Sequence, residues 1–593
     1  MNRPADLMER AAPVLCGGAA VAVLLAIVNR DYPIVGDDFG YFIPRLLDTY
    51  LHLRINGLSI QWYTPSFGGG LPAFANPQHI EYSPLQALLY VTSPWMAILA
   101  AIAIVSAAGY AACYAFLSRT LGLERISSAL GAAFFVGNGF YIEHMIVGHV
   151  GFQLFPMGAV LLYVLTNRTR TLVTNACLIA LIVAMMIHQA GFYILILTAG
   201  SIVLAGQVVY LIDRRRIDWI RAMVAGVMAV PLSLAIAGSK IFAIQSLMRQ
   251  FPREVADRNA VGVLHGLAGL VSQLAGGMMM IPALMLAGHP PGKVAGALNR
   301  MTGAHGLVWE QDTGLSPVLT VVLVIGLIQL VSSIRTRGVP RLSFDTTAML
   351  ICLGLTSWVA VEATLAKGFV YPVLRTLPVL RSLHVNPRNA AVFILPLTIV
   401  GAVLLNRWYV KRPPRWHVAA VLCLTLVSPW IYLVLPTETH WRSFDVTQSA
   451  RDYERIGHGE RFPVTRIEDV QDSQTFSTRS SSARPYEPIF GYYLENFAAQ
   501  VHVGDIHDEQ GGRLNMTNPS SLVFPEINDA RPFDRIRAAD RINLERLAAR
   551  RQPEWNIPPI VRWLNIVAVG TLAACAGIPL IGVIRRWNRR RRP

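Results

Sequence analysis

Charge is scarce in this chain. Only 15% of its 593 residues are Asp, Glu, Lys or Arg, against about 25% in a soluble globular protein, so water is not the solvent for most of it. Cysteine is scarcer still. The six residues Cys16, Cys113, Cys177, Cys352, Cys423 and Cys575 all lie in apolar stretches. That excludes a disulfide framework in the outer loops and a cysteine metal site; thiols in such surroundings behave as small apolar side chains. Several motifs are also missing: the G-x-S-x-G elbow, the H-E-x-x-H helix and any repeat of solenoid length. "GHPPGK" at 288–293 is one residue short of a phosphate-binding loop and follows no strand.

What is abundant is apolar sequence, 53% of the chain with a mean hydropathy of +0.42. Runs of about 17–25 apolar residues, long enough to cross a bilayer core, fall near 11–29, 94–117, 127–143, 151–166, 172–188, 191–212, 219–237, 316–333, 345–363, 389–406, 417–436 and 562–584. They predict an all-α polytopic membrane protein of about twelve helices. Basic clusters occupy alternate connections: Arg119 and Arg125; Arg168 and Arg170; Arg214 to Arg216 with Arg221; Arg335, Arg337 and Arg341; Arg407, Lys411, Arg412 and Arg415; and the tail "RRWNRRRRP". By the positive-inside rule these face the cytoplasm, as do both termini. The net charge of +16 therefore sets orientation and meets lipid headgroups, rather than nucleic acid. The stretch 261–287 is apolar enough to span, but spanning would move Arg335 and Arg337 outside, so a re-entrant or interfacial course is expected. The first apolar run lacks an A-x-A site and reads as an anchor.

This divides the chain into a transmembrane domain (1–436) with large outer loops at 30–93, 238–315 and 364–388, an outer module (437–561), and a last helix with its basic tail (562–593). The module mixes strand-like runs, "FPVTRI" and "SLVFPEI", with turn-rich sequence and a helical "RIRAADRINLERLAAR". A small α/β or β-rich fold is expected. The first loop, crowded with Gly, Pro and aromatics around "QWYTPSFGGGLPAF", is expected to be structured and packed.

Ionisable residues gather at the outer ends of the spans: Asp37 and Asp38, Glu143 and His144, His149, His188, Lys240, Glu310 and Asp312, Glu362, and Arg388. The middles are nearly free of charge, where each ionised group costs about 2.5–3.5 kcal/mol. A ring at one surface favours chemistry there over transport through the bilayer. Plainer readings exist: histidines at helix ends hydrogen-bond at interfaces, Glu143 and Glu362 suit wetted helix ends, and Asp37–Asp38 suits a solvated pair or a helix N-cap. A divalent site of Asp37, Asp38 and Glu310 is open on charge grounds.

The first loop, "GDDFGYFIPRLLDTY…GLSIQWYTPSFGGGLPAFANPQ…YSPLQALLY", resembles the opening of the polytopic GT-C glycosyltransferases, especially the YfhO-like bacterial membrane proteins. "GSKIFAIQSLMRQFPRE" is similar to their Lys…Pro-Arg loop, "VWEQDTGLSP" to their Trp-x-Glu…Gly-x-x-Pro segment, and "LPVLRSLHVNPRNAAVF" in part to their Leu-Arg-Val-Pro-x-Arg-Phe motif, departing from it at Asn386 and Asn389. The resemblance spans roughly 1–436. It implies sugar transfer from a polyprenyl-phosphate donor to a glycan or lipid acceptor on the outer face of the bacterial cytoplasmic membrane, with inversion and usually without metal or other cofactor. On that expectation Asp37, then Asp38, with Glu310 as runner-up, is the general base. Lys240, Arg253, Arg381 and Arg388 bind the donor phosphate, and His144, His149, Trp62 and Tyr82 lie on the sugar or acceptor side. A lipid-carrier flippase or transporter, or a non-catalytic envelope-assembly protein, is the alternative. The first lacks midplane polar groups and the second leaves the charged ring unexplained. Reporter fusions after Pro436 and after Pro593 are expected to report opposite sides of the membrane; the same side for both would overturn this topology.

Overall fold

The computed structural model describes residues 4–251, 262–302, 310, 312–338, 341–381, 385–409, 423–425, 428–434, 442–490 and 500–590. The chain is mainly helical and carries small β-sheets. Among the described residues eight helices are long and apolar enough to cross a membrane, or nine if one bent pair counts as a span. The other three of the twelve apolar runs are those near 151–166, 172–188 and 417–436. The runs near 151–166 and 172–188 form the apolar helices Val150–Thr166 and Leu172–His188, at the short end of the range that crosses a bilayer core. Much of 417–436 lies outside the described residues. The run at 127–143 is broken into Arg125–Val136 and Gly139–Val147, bent by 40°. Gly137 and Gly139 weaken the helix there, and the Asn138 side chain accepts from Tyr141 N to cap a new one. Residues 261–287 form the helix Val263–Leu286.

Of the apolar window in Pro559–Ile584 only 6% is buried by protein, and 11% of that in Pro317–Arg337. Apolar surface that bare belongs in lipid. One core cluster runs through the helices. A second holds Trp62, Phe67 and Phe74 of the first loop together with Ile467, Met516, Leu522 and Phe524. Loop and 437–561 segment therefore share a core.

Their strands interlock as well. Ile34–Gly36 pairs antiparallel with Arg442–Asp445, Phe67 bridges to Ser482, and Thr517 N donates to Gly69 O at 2.7 Å. Of the expected strands, "FPVTRI" runs into Arg466–Glu468, whereas "SLVFPEI" forms none. Pro525 lacks the ladder N–H, and this segment instead buries Leu522 and Val523 between the short helices Pro519–Ser521 and Glu526–Asn528. The expected helix over 535–550 narrows to Arg541–Ala548, preceded by the strand Arg535–Arg537.

The helix Phe39–Asn56 packs against the 437–561 segment and is buried from Phe39 almost to its end. Tyr41, Arg45, Asp48 and His52 recur every three or four residues, which puts four polar groups on one face. Arg45 pairs with Asp472 at 3.0 Å and Glu487 at 3.3 Å. Asp48 accepts from Arg550, from Gln61 Nε2 at 2.5 Å and from Ser66 Oγ at 2.5 Å. Removing one member of a buried pair strands the other charge, at a cost of about 3–5 kcal/mol. Arg550→Ala is accordingly expected to lower the thermal unfolding temperature of the detergent-solubilised protein sharply. A variant carrying both Asp48→Asn and Arg550→Met should recover much of the loss, and wild-type melting of Arg550→Ala would contradict the strut.

Candidate active site

The position of Asp38 follows from a close backbone crossing. After the first span the chain passes directly over the end of the helix Gly139–Val147. A Cβ on Gly36 would meet the carbonyls of Ile146 and Val147, and one on Gly148 would lie 2.6 Å from Phe39 N. Gly148 also has φ +108, a conformation that suits glycine. With both side chains absent, Asp38 N donates to Val147 O at 3.1 Å. Asp38 occupies the N-cap position of the next helix but makes no side-chain cap bond. Its Oδ2 instead sits 2.6 Å from His149 Nε2. Asp37 turns the other way and accepts from the Ser443 hydroxyl. The adjacent carboxylates thus have different partners.

Glu310 arrives from a third direction. Gly139 N, at the break in the helix, donates to Gly314 O at 2.8 Å. Asp312 accepts from Gly314 N at 2.9 Å and from the Tyr432 hydroxyl at 2.6 Å. This docked turn sets Glu310 beside Arg388, whose Nε and Nη2 donate to both of its oxygens. Arg388 comes from the short helix Asn386–Phe393; its Nη2 lies 3.4 Å from His149 Nε2, and its guanidinium covers the rings of Phe152 and Tyr193. His144 Nε2 is 3.9 Å from Glu310 Oε2. Its Nδ1 is 2.8 Å from Phe140 O, an acceptor, so Nδ1 carries the proton and Nε2 is a bare acceptor.

Asp38, His149, Arg388, Glu310 and His144 therefore form one connected cluster. The first four side chains are 10–14% exposed and His144 is fully buried. Asp38 Oδ1 has no partner among the described residues, and buried His144 Nε2 and His149 Nδ1 lack one too. With neutral histidines the charges sum to one negative. Arg388 is the cation of this cluster, and Glu310 holds it.

The other sequence candidates lie elsewhere. Lys240 is fully buried and donates to the carbonyls of Asn76 at 3.2 Å and His79 at 3.4 Å, which clamps the first loop onto the helix Trp219–Gln250. Nearby Glu81 is buried too, and desolvation pushes its carboxyl up to about 7 against the pull of Lys240. Trp62 is buried among Phe74, Phe524 and Trp555, and Tyr82 donates to Leu58 O at 3.0 Å. Arg381 is exposed at the end of Pro378–Arg381, and Arg253 lies outside the described residues. Asp37, Asp38 and Glu310 do not converge as a divalent site requires, and among the described residues no group of three or more His, Cys, Asp or Glu is arranged to hold a metal. Glu362 accepts from Val370 N and Tyr371 N at 2.6 and 2.9 Å and closes a turn. Sequence reasoning missed Tyr193, which donates to Asn389 Oδ1 at 3.0 Å; its one signal is an aromatic pair, "FY", opening an apolar helix.

No family model and no curated protein matches the chain. Solved structures similar to it include ArnT from Cupriavidus metallidurans bound to undecaprenyl phosphate (14% identity, TM-score 0.33, covering 82% of this chain and 87% of ArnT). The same protein in the apo state gives 14% identity and a TM-score of 0.32 over 79% and 84% of the two chains. Arabinofuranosyltransferase AftD from Mycobacteria gives 15% identity and a TM-score of 0.38 over 76% of this chain but 30% of AftD. Overlap this loose leaves function to be read from the chain's own residues.

Asp312 offers a test of the docked turn. Burial, reinforced by the charge of Glu143, pushes its carboxyl up to about 7, while the Tyr432 hydroxyl and Gly314 N pull it down. The folded state therefore holds a proton that the unfolded chain has lost above its ordinary value of 3.8, so this group's stabilising contribution is full at low pH and declines as pH rises towards 7. Asp312→Asn is expected to flatten the fall in thermal stability between pH 4 and 7. An identical pH profile in the variant would contradict the shift.

Proposed function

We propose that this protein is a GT-C-type membrane glycosyltransferase. It moves a sugar from a polyprenyl-phosphate donor to a lipid- or glycan-linked acceptor at the outer face of a bacterial cytoplasmic membrane. The observation that carries this reading is the pairing of Asp38 with His149 beside Arg388, at the ends of apolar helices where a lipid-anchored phosphate and a water-borne hydroxyl can meet.

An acceptor hydroxyl is a poor nucleophile, so its proton must leave as it attacks. In this reading Asp38 Oδ1 takes that proton while His149 holds Oδ2 and fixes the carboxylate's direction. The acceptor oxygen bonds to the anomeric carbon from the face opposite the phosphate. The carbon–oxygen bond to phosphate breaks, and its electron pair stays on the leaving oxygen. Inversion follows from this single displacement. Arg388 receives the growing phosphate charge, since its planar fork matches phosphate oxygens as well as it matches Glu310. Glu310 ranks below Asp38 as the base because both its oxygens already accept from Arg388, and Asp37 ranks below it because it faces Ser443. No step is assigned to a metal or cofactor.

With a radiolabelled polyprenyl-phosphate sugar, purified Asp38→Asn is expected to bind donor normally and lose transfer by roughly 10²–10⁴-fold. Asp37→Asn should stay near wild type. Arg388→Ala should weaken donor binding by about 1.5–3 kcal/mol. Loss in Asp37→Asn with an active Asp38→Asn would move the base by one residue, and full activity in all three would end the catalytic reading.

A further inference from the structure

The 437–561 segment carries two adjoining hollows, of about 790 and about 200 Å3, the larger of them shallow and open to solvent. They share Asn528, Asp529, Pro553, Glu554 and Trp555 and make one groove. None of its lining residues belongs to the Asp38–Arg388 cluster.

The groove is rigid. The Trp555 ring is stacked on Phe524 (centroids 5.9 Å apart, 17° between planes) and met edge-on by Trp62 at 5.3 Å and Tyr63 at 4.9 Å. Asn528 and Asn556 lock the two lining loops together: Asn528 Nδ2 donates to Asn556 O at 3.0 Å, and Asn556 N donates to Asn528 Oδ1 at 2.7 Å. Asn543 Oδ1 accepts from Glu554 N at 2.9 Å. Acceptors nevertheless remain unused. The Asp529 and Asp540 carboxylates bond to no side chain among the described residues; Gln552 Oε1 also lacks a partner but lies beneath the surface, out of a ligand's reach.

A braced, part-exposed indole beside unfilled acceptors suits a ligand with apolar C–H faces and many hydroxyl donors. Sugar C–H groups meet the negative face of an aromatic ring, and hydroxyls donate to carboxylates in charge-assisted bonds. Sign narrows the class. Glu554 is paired with Arg546 at 2.5 Å, and Glu526, Asp529 and Asp540 still outnumber Arg537 along the lining, so phosphates and uronic acids are repelled. We propose that this groove binds an oligosaccharide of neutral or amino sugars. Its affinity is independent of the transferase reading; its use, holding an acceptor or product glycan against the loop that carries Asp38, rests on that reading.

The test uses the full-length protein in a micelle without sugar headgroups, titrated by calorimetry with cellohexaose, with the glucosamine hexamer and with a hexagalacturonate. One of the first two is expected to bind, with hexagalacturonate at least about tenfold weaker. The double variant Asp529→Ala/Asp540→Ala should lose about tenfold in affinity, the effect of roughly one charged hydrogen bond, at unchanged melting temperature. Asp38→Asn should bind the same glycan as wild type, whether or not it transfers sugar, which keeps the two readings separable. The proposal is overturned if neither uncharged nor amino hexamer binds at millimolar concentration, if hexagalacturonate binds as tightly, or if the double variant binds like wild type.

Discussion

The carboxylate of Asp48 and the guanidinium of Arg550 meet across 502 positions of sequence, and both are almost wholly buried. Charges withdrawn from water persist only when matched, so this contact admits one arrangement of the first loop and the 437–561 segment. Arg45 adds a second match on the same helix face through Asp472 and Glu487. Together they hold the helix Phe39–Asn56 against the 437–561 segment. Asp38 stands at the start of that helix, so its direction inherits whatever fixes the strut. Lys240, buried on the other side of the first loop, closes the frame through Asn76 and His79.

Within that frame the two neighbouring aspartates do different work. The Ile34–Gly36 strand pairs with Arg442–Asp445, which presents Ser443 to Asp37. The crossing at Val147 presents His149 to Asp38. One carboxylate joins the strand pair and the other faces a cluster with unfilled nitrogen and oxygen acceptors. The cluster is held in electrical check by Arg388 and Glu310, each satisfying the other until something displaces one of them.

The helices were legible because hydropathy and the alternation of basic clusters are long-range averages that survive local irregularity. Expected sidedness put Asp38, His144, His149, Glu310 and Arg388 in one set, but it put Asp37, Lys240 and Glu362 there too, and those have other partners. Sidedness cannot say which of two adjacent carboxylates turns inward, since that depends on the space left at Gly36 and Gly148. It cannot show that Lys240 is consumed by loop carbonyls or that Trp62 lies beneath Trp555, because each depends on a partner distant in sequence. The average over an apolar run hides local breaks, such as the 40° bend that Gly137, Asn138 and Gly139 put into the run at 127–143.

The interlocking of the first loop with the 437–561 segment also has a consequence in time. Ser443 is made 406 residues after Asp37, and Arg550 502 residues after Asp48. At about 5–20 residues per second the ribosome takes roughly 20–100 s to cover those intervals. Throughout that delay Arg45 and Asp48 wait without their distant partners, and the strand Ile34–Gly36 has an open edge. The first loop is thus the earliest part of this interlocked unit to be synthesised and among the last to be finished, and it is the stretch most in need of shelter while the membrane helices are being inserted.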